Sequence, residues 1–182
     1  MRDELTKAII FDFDGVILDT ETPDFLAWSD VFSKYNFPFP FAKWARGVGN
    51  DELYDPITEL SNLSPERIDR KEVNQFWTQK FKNYLATQKP SRAIVGLIRD
   101  AFEAGLKLGI ASNSSFQWVH EHLCRFNLDS FFSTIVTRED VEFGKPAPEV
   151  YIEVVNRMQL NTQLSQVKTE PFALSYAALR AF

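Results

Sequence analysis

The segment that most limits what this chain can fold into is Ala8-Ile9-Ile10-Phe11, a short apolar run broken off by Asp12-Phe13-Asp14-Gly15. Such a run, rich in β-branched residues and ending in acids and a glycine, reads as a buried strand of a parallel sheet with polar chemistry at its C-terminal end. Its four apolar residues, Ala8 to Phe11, are too few for a secretion signal or a membrane span. Asp12 and Asp14 lie two positions apart, so they point the same way from the strand end. Two carboxylates held that close repel each other unless a cation or a proton lies between them.

From there to about residue 90 the pattern becomes helical, with no convincing strand. Phe25, Trp28, Val31, Phe32 and Tyr35 follow helical spacing, and so do Phe76, Trp77, Phe81, Tyr84 and Leu85 after a start signal at Ser64-Pro65. Trp28, Phe76, Trp77 and Tyr84 are expected in the core of this block. Beyond Pro90 the alternation returns. Ile94, Leu97, Ile98 and Phe102 form a helical stripe stopped by Gly105, and Leu106 to Ala111 reads as a strand. Ser112-Asn113-Ser114-Ser115 follows, and the spacing of Ser114 and Gln117 suggests a capping box for a helix with Phe116, Val119, Leu123 and Phe126 inward. Ser133 to Thr137 is the next strand, and a loop through Gly144-Lys145-Pro146 leads into a helix bearing Val150, Tyr151, Val154, Val155 and Met158. The expected class is therefore α/β: a Rossmann-like parallel-sheet core in segments 1-16 and 91-182, with an all-helical cap inserted at 17-90.

At 182 residues the chain can bury roughly 70% of its unfolded surface. The formal charge of -5 argues against nucleic acid or an anionic membrane as partner. Cys124 is the single cysteine, which excludes an internal disulfide and fits a reducing cytoplasm. It reads as a buried or half-buried apolar residue. His120 and His122 diverge on a helix and read as a solvated face.

Three polar clusters fall at the ends of three predicted strands: Asp12 with Asp14, Ser112 with Asn113, and Lys145. In a parallel sheet these ends converge on one crevice. A carboxylate can attack phosphorus, a second acid can protonate the leaving oxygen, and a hydroxyl and an ammonium can hold the transferred phosphoryl group. Asp12, Asp14, Ser112 and Lys145 suit those roles. An isolated pair of aspartates is commonly a solvated turn; it is the combination with the other two clusters that points to chemistry. The hard cation that best relieves an all-oxygen acidic pair is Mg²⁺.

Asp12-Phe13-Asp14-Gly15-Val16-Ile17-Leu18-Asp19-Thr20, with Ser112-Asn113 and Gly144-Lys145-Pro146, resembles the first three motifs of the haloacid dehalogenase-like hydrolase superfamily, in its beta-phosphoglucomutase-like branch. The resemblance implies that Asp12 is the nucleophile, Asp14 the general acid and base, Ser112 a phosphate ligand and Lys145 a charge stabiliser. It implies a Mg²⁺ ion held by the Asp12 side chain and the Asp14 main-chain carbonyl. Ala45 to Asp51 resembles the branch's specificity loop, which makes Arg46 and Gly47 candidate substrate contacts together with Asn113, and Trp44 a candidate lining of the site mouth. The implied activity is a cytoplasmic phosphatase acting on a small phosphorylated metabolite such as a sugar phosphate. A phosphomutase, or an impaired relative that only binds, are the alternatives.

The family's fourth motif, an acidic metal ligand after another strand, is poorly matched by Gln166 to Pro171, where Glu170 is the candidate. The chain then ends at Phe182, short of the family's last strand and helix, and reads as truncated. The expectation is a sheet edge partly covered by Phe172, Leu174, Tyr176 and Leu179 and a weakened hold on the metal.

Overall fold

In a computed structural model, residues 7–48 and 54–160 are described, together with the backbone of 176–179. Residues 1–18 and 89–182 form one compact unit, and 19–88 form a second.

The first unit is built on a four-stranded sheet in the order β3-β2-β1-β4, where β1 is Ala8–Phe11, β2 is Lys107–Ala111, β3 is Thr134–Val136 and β4 is Tyr176–Leu179. β1 pairs parallel to β2, with Ala8 opposite Lys107 and Phe11 opposite Ile110, and β2 pairs parallel to β3, with Gly109 opposite Thr134. Four of the five β2 residues are buried, the near-continuous burial of a parallel strand covered on both faces. Ala8, Ile10, Ala111 and Val136 share a core cluster with Val150, Tyr151, Val154, Val155 and Met158 of α7, Glu149–Arg157. Ile98 of α5, Arg92–Glu103, and Val119 and Leu123 of α6, Phe116–Arg125, are fully buried. Each such side chain contributes about 1.5–3 kcal/mol relative to leaving it in water.

The sheet edge expected to be partly covered by Tyr176 and Leu179, among others, is covered by the segment that holds them, as a paired strand. β4 runs antiparallel to β1, with Phe11 opposite Tyr176 and Ala8 opposite Leu179, so the backbone groups of that edge of β1 enter a ladder rather than solvent. Phe172 and Leu174 lie outside the described residues.

The second unit is helical: α1 Glu21–Lys34, α2 Phe41–Gly47, α3 Pro56–Leu63 and α4 Arg70–Ala86. Trp28, Val31, Phe32, Ile57, Leu60 and Val73 form its core, with Trp44, Phe76 and Trp77 packed against it. Tyr84 is half-buried, its hydroxyl donating to Asp30 Oδ2 at 2.9 Å. The Asp24 carboxylate accepts from two indoles, Trp44 Nε1 at 2.7 Å and Trp77 Nε1 at 3.0 Å, tying α1 to α2 and α4 where apolar contact alone would leave both N–H groups without partners. The α4 start differs from the expected Ser64-Pro65. The helix begins at Arg70, because the Asp69 side chain accepts from the Lys71 and Glu72 N–H groups, whereas Ser64 ends α3 and its hydroxyl accepts from Glu66 N.

Other expectations shift at exposed ends. Leu97, Phe102 and Phe116 are 39%, 48% and 46% exposed rather than inward. Phe116 opens α6, where its ring stacks on His120 at 5.3 Å. Cys124, expected to be buried or half-buried, is exposed. His122, expected on a solvated face, is buried, with its ring 4.3 Å from that of Trp118 and 6.1 Å from that of Phe13. Among the described residues no helix is long and apolar enough to cross a membrane.

Candidate active site

Parallel pairing brings the C-terminal ends of β1 and β2 side by side, and the polar residues that follow each strand meet there. Beyond β1, Phe13 is fully buried while its neighbours Asp12 and Asp14 are partly exposed, the alternation that gives two carboxylates on one side. Gly15 then turns the chain with φ of 72°, a conformation an L side chain resists. The turn closes through Gly15 N to Leu18 O at 2.8 Å and Ile17 N to Phe13 O at 2.9 Å.

Lys145 Nζ lies 2.6 Å from Asp12 Oδ1 and donates to the Ala111 carbonyl at 3.1 Å. The pair is largely shielded, with 17% and 18% of the two side chains exposed. Burial pushes the Asp12 carboxyl above its ordinary range; the Lys145 ammonium and the Phe13 N–H oppose this, and the Asp14 charge adds to it. The same burial, assisted by the Asp12 charge, pushes the nearby Tyr151 phenol up to about 12, so it stays neutral.

The loop carrying Lys145 is held by one residue. Asn113 Nδ2 donates to the Lys145 carbonyl at 3.0 Å and its Oδ1 accepts from the Lys145 N–H at 2.7 Å. This paired bond places the lysine backbone against the end of β2. It also requires glycine at 144: a Cβ there would stand 2.6 Å from Asn113 Oδ1 and 2.6 Å from Arg138 Cδ. Gly144→Ala is expected to displace Asn113, loosen Lys145 and lower kcat about tenfold or more, if Lys145 serves the chemistry of this site, since small misplacements of such a group are costly. Steady-state kinetics beside a thermal melt checks this, the melt moving by only a few degrees.

Asp14 is bound by a second set of groups. Its Oδ2 accepts from Ser114 Oγ at 2.6 Å and lies 3.4 Å from Ser112 Oγ, and its Oδ1 accepts from Trp118 Nε1 at 3.0 Å. Ser112 is fully buried, and its hydroxyl accepts from the Ser114 N–H at 3.0 Å. The helix cap expected at Ser114 falls instead to Ser115, which accepts from the Trp118 N–H at 3.3 Å. Ser114 is thereby released to the carboxylate.

Of the sequence-derived residues, Asp12, Asp14, Ser112, Asn113 and Lys145 thus come together in the first unit. Arg46 and Gly47 lie at the C-terminal end of α2 in the second, Arg46 exposed. Trp44 packs on Phe25, Phe39 and Phe41 with its indole on Asp24. Sequence reasoning missed Ser114 and Trp118 as partners of Asp14. Ser114 precedes the Ser115 cap and Trp118 lies in the first turn of α6, so no helical periodicity links them.

Among the described residues no group of three or more His, Cys, Asp or Glu side chains could hold a metal ion. Glu170 lies outside the described residues. The oxygen donors that the resemblance implies are the Asp12 carboxylate, at the end of β1 beside Asp14, and the main-chain carbonyl of Asp14. Two hard oxygen donors beside a half-neutralised acidic pair fit Mg²⁺, which keeps several of its waters and takes few protein ligands.

The sequence model of the family described as haloacid dehalogenase-like hydrolase matches residues 9–167. A Bacillus subtilis protein named as a phosphatase, YhcW, is 32% identical over 148 residues, spanning 81% of this chain and 67% of that protein. The phosphorylated carbohydrates phosphatase of Thermotoga maritima is 27% identical over 157 residues, 85% of this chain and 71% of its own length. A crystal structure from Thermotoga maritima named as a beta-phosphoglucomutase superposes with a TM-score of 0.69 at 25% identity, covering 85% of this chain and 71% of that one. With the family match extending over most of its length and the two aspartates, serine and lysine converging at the sheet's C-terminal edge, the chain belongs to the haloacid dehalogenase-like hydrolase family.

Proposed function

We propose that the protein is a phosphatase that transfers the phosphoryl group of a small phosphorylated metabolite, of the sugar phosphate kind, to Asp12 and then to water. The observation that carries this reading is Lys145 Nζ at 2.6 Å from Asp12 Oδ1, with Asp14 anchored beside it. An ammonium set there opposes the effect of burial on the Asp12 carboxyl, and it can meet the equatorial oxygens of an incoming phosphoryl group.

In the first step an Asp12 oxygen forms a bond to phosphorus as the bond to the leaving oxygen breaks, and Asp14 gives that oxygen a proton. In the second, Asp14 takes a proton from water as its oxygen attacks phosphorus and the Asp12 carboxylate is released. The Ser112 hydroxyl and the Lys145 ammonium contact the transferred group, and Asn113 holds Lys145 in reach. Mg²⁺, when held by the Asp12 carboxylate and the Asp14 carbonyl, supplies positive charge that offsets the substrate's phosphate. Arg46 and Gly47 are assigned to substrate selection. Relatives named for phosphorylated carbohydrates and for beta-phosphoglucomutase activity support the sugar phosphate class.

The test is phosphate release from a generic aryl phosphate. Turnover is expected with Mg²⁺, and its loss in excess chelator is expected to reverse on adding the metal back. Equal rates in Mg²⁺ and in chelator would remove the metal from the account.

A further inference from the structure

The Asp14 carboxylate differs from that of Asp12 in that neither oxygen is partnered by a charged group among the hydrogen bonds given above, and the partners of its two oxygens differ in kind. Oδ1 faces the Trp118 indole N–H at 3.0 Å. An indole nitrogen can only donate. Oδ2 faces two hydroxyls, Ser114 Oγ at 2.6 Å and Ser112 Oγ at 3.4 Å, and a hydroxyl can turn to accept instead.

The indole is itself held in place. The Trp118 main-chain N–H donates to Ser115 Oγ at 3.3 Å, and its main-chain carbonyl lies 2.9 Å from His122 Nδ1. The carbonyl can only accept, so Nδ1 carries the hydrogen in this arrangement. The His122 ring is 4.3 Å from the Trp118 ring and packs against buried Phe13, the residue between the two aspartates. A continuous contact therefore runs from Phe13 through His122 and Trp118 back to Asp14.

We propose that Trp118 is a positioning residue for the acid-base step, fixing the plane of the Asp14 carboxylate and assigning the exchangeable proton to Oδ2. A proton on Oδ1 would point at an N–H that cannot accept it, whereas a proton on Oδ2 needs only the Ser114 hydroxyl to reverse. Phosphoryl transfer then breaks the Oδ2–H bond and forms the O–H bond of the leaving alcohol. Water's proton returns to the same oxygen in the second step. The inference rests on the acid-base role given to Asp14 above.

Trp118→Phe keeps a ring against His122 and removes the donor. Phenyl phosphate needs its leaving oxygen protonated, since a phenol has a pKa of about 10; 2,4-dinitrophenyl phosphate expels a far more stable anion and does not. On phenyl phosphate, with Mg²⁺ present, kcat is expected to fall about tenfold or more, part of the roughly 10²–10⁴-fold that a positioned acid contributes. KM should hold within about twofold, and the first-turnover burst of dinitrophenolate, which precedes the water step, should keep its wild-type rate. An equal loss in that burst and in phenyl phosphate turnover, or no loss in either, would overturn the proposal. Asp14→Asn separates the two layers of argument. If it retains phenyl phosphate turnover, the acid-base reading itself fails; if it is inactive on phenyl phosphate while Trp118→Phe matches wild type, only the positioning role fails. A readout free of turnover is the indole N–H resonance assigned to Trp118 by its loss in Trp118→Phe. It is expected to shift in Asp14→Asn, and an unmoved resonance would show that no such hydrogen bond exists.

Discussion

Asp12→Asn is expected to lower phosphate release by about 10⁴-fold or more, the scale on which removal of a covalent nucleophile acts. The amide keeps an oxygen in position to accept from the Phe13 N–H, which now lies 2.7 Å from Oδ1, so the local backbone should persist. What disappears is the anion that can attack phosphorus. Folding should suffer little, because Asp12 is held above its ordinary carboxyl range by burial and the variant removes a desolvated charge along with its partner's attraction. An intact melt with activity at background is the expected pair of results, measured by continuous phosphate detection and thermal unfolding. Activity within tenfold of wild type would contradict the nucleophile assignment.

Lys145→Ala is expected to have the second largest effect, and unlike the first it should act on stability as well. Loss of one fixed charge at the transferring group typically lowers kcat by about 10²–10³-fold. The same change leaves Asp12 in its shielded position without a counter-charge. Breaking a buried pair costs about 3–5 kcal/mol, and since 17% and 18% of the two side chains remain exposed and Asp12 can take up a proton instead, a loss near or below the lower end is expected. Denaturant titration at neutral pH reads this directly. Combining the two substitutions should recover much of the lost stability, because Asp12→Asn removes the stranded charge, while activity stays at background. Lys145→Arg is not expected to restore turnover: the lysine reaches Asp12 and the Ala111 carbonyl as a compact point charge, and a planar guanidinium presents different geometry.

The core strands were readable because the apolar runs of β1 and β2 end abruptly at acids and serines, and parallel pairing then needs no further information to gather those ends, while Lys145 comes from the loop after β3. Local hydrogen-bond competition was harder to read. Ser114 and Ser115 both look like helix caps, and which of them serves depends on Asp14, which lies 100 residues from Ser114 in sequence. Asn113 carries the same lesson: beside Ser112 it resembles a substrate contact, yet both its polar groups are engaged by the Lys145 main chain. His122 reads as a surface residue by type, and it is buried because its ring fills space between Trp118 and Phe13. Antiparallel β4 was not foreseen either, since Tyr176–Leu179 carries no alternation that sets it apart from a loop. In each case the deciding partner is distant in sequence, where periodicity carries no signal.

The measurement that bears most directly on the central claim is acid quenching of wild-type protein during turnover with Mg²⁺ and an aryl phosphate, followed by hydroxylamine treatment and peptide mass spectrometry. An acyl phosphate on Asp12 is expected to appear during turnover and to convert to a hydroxamate at that residue, with no adduct in Asp12→Asn. Sustained phosphate release in the absence of any adduct at Asp12, or an adduct at another residue that persists in Asp12→Asn, would contradict it.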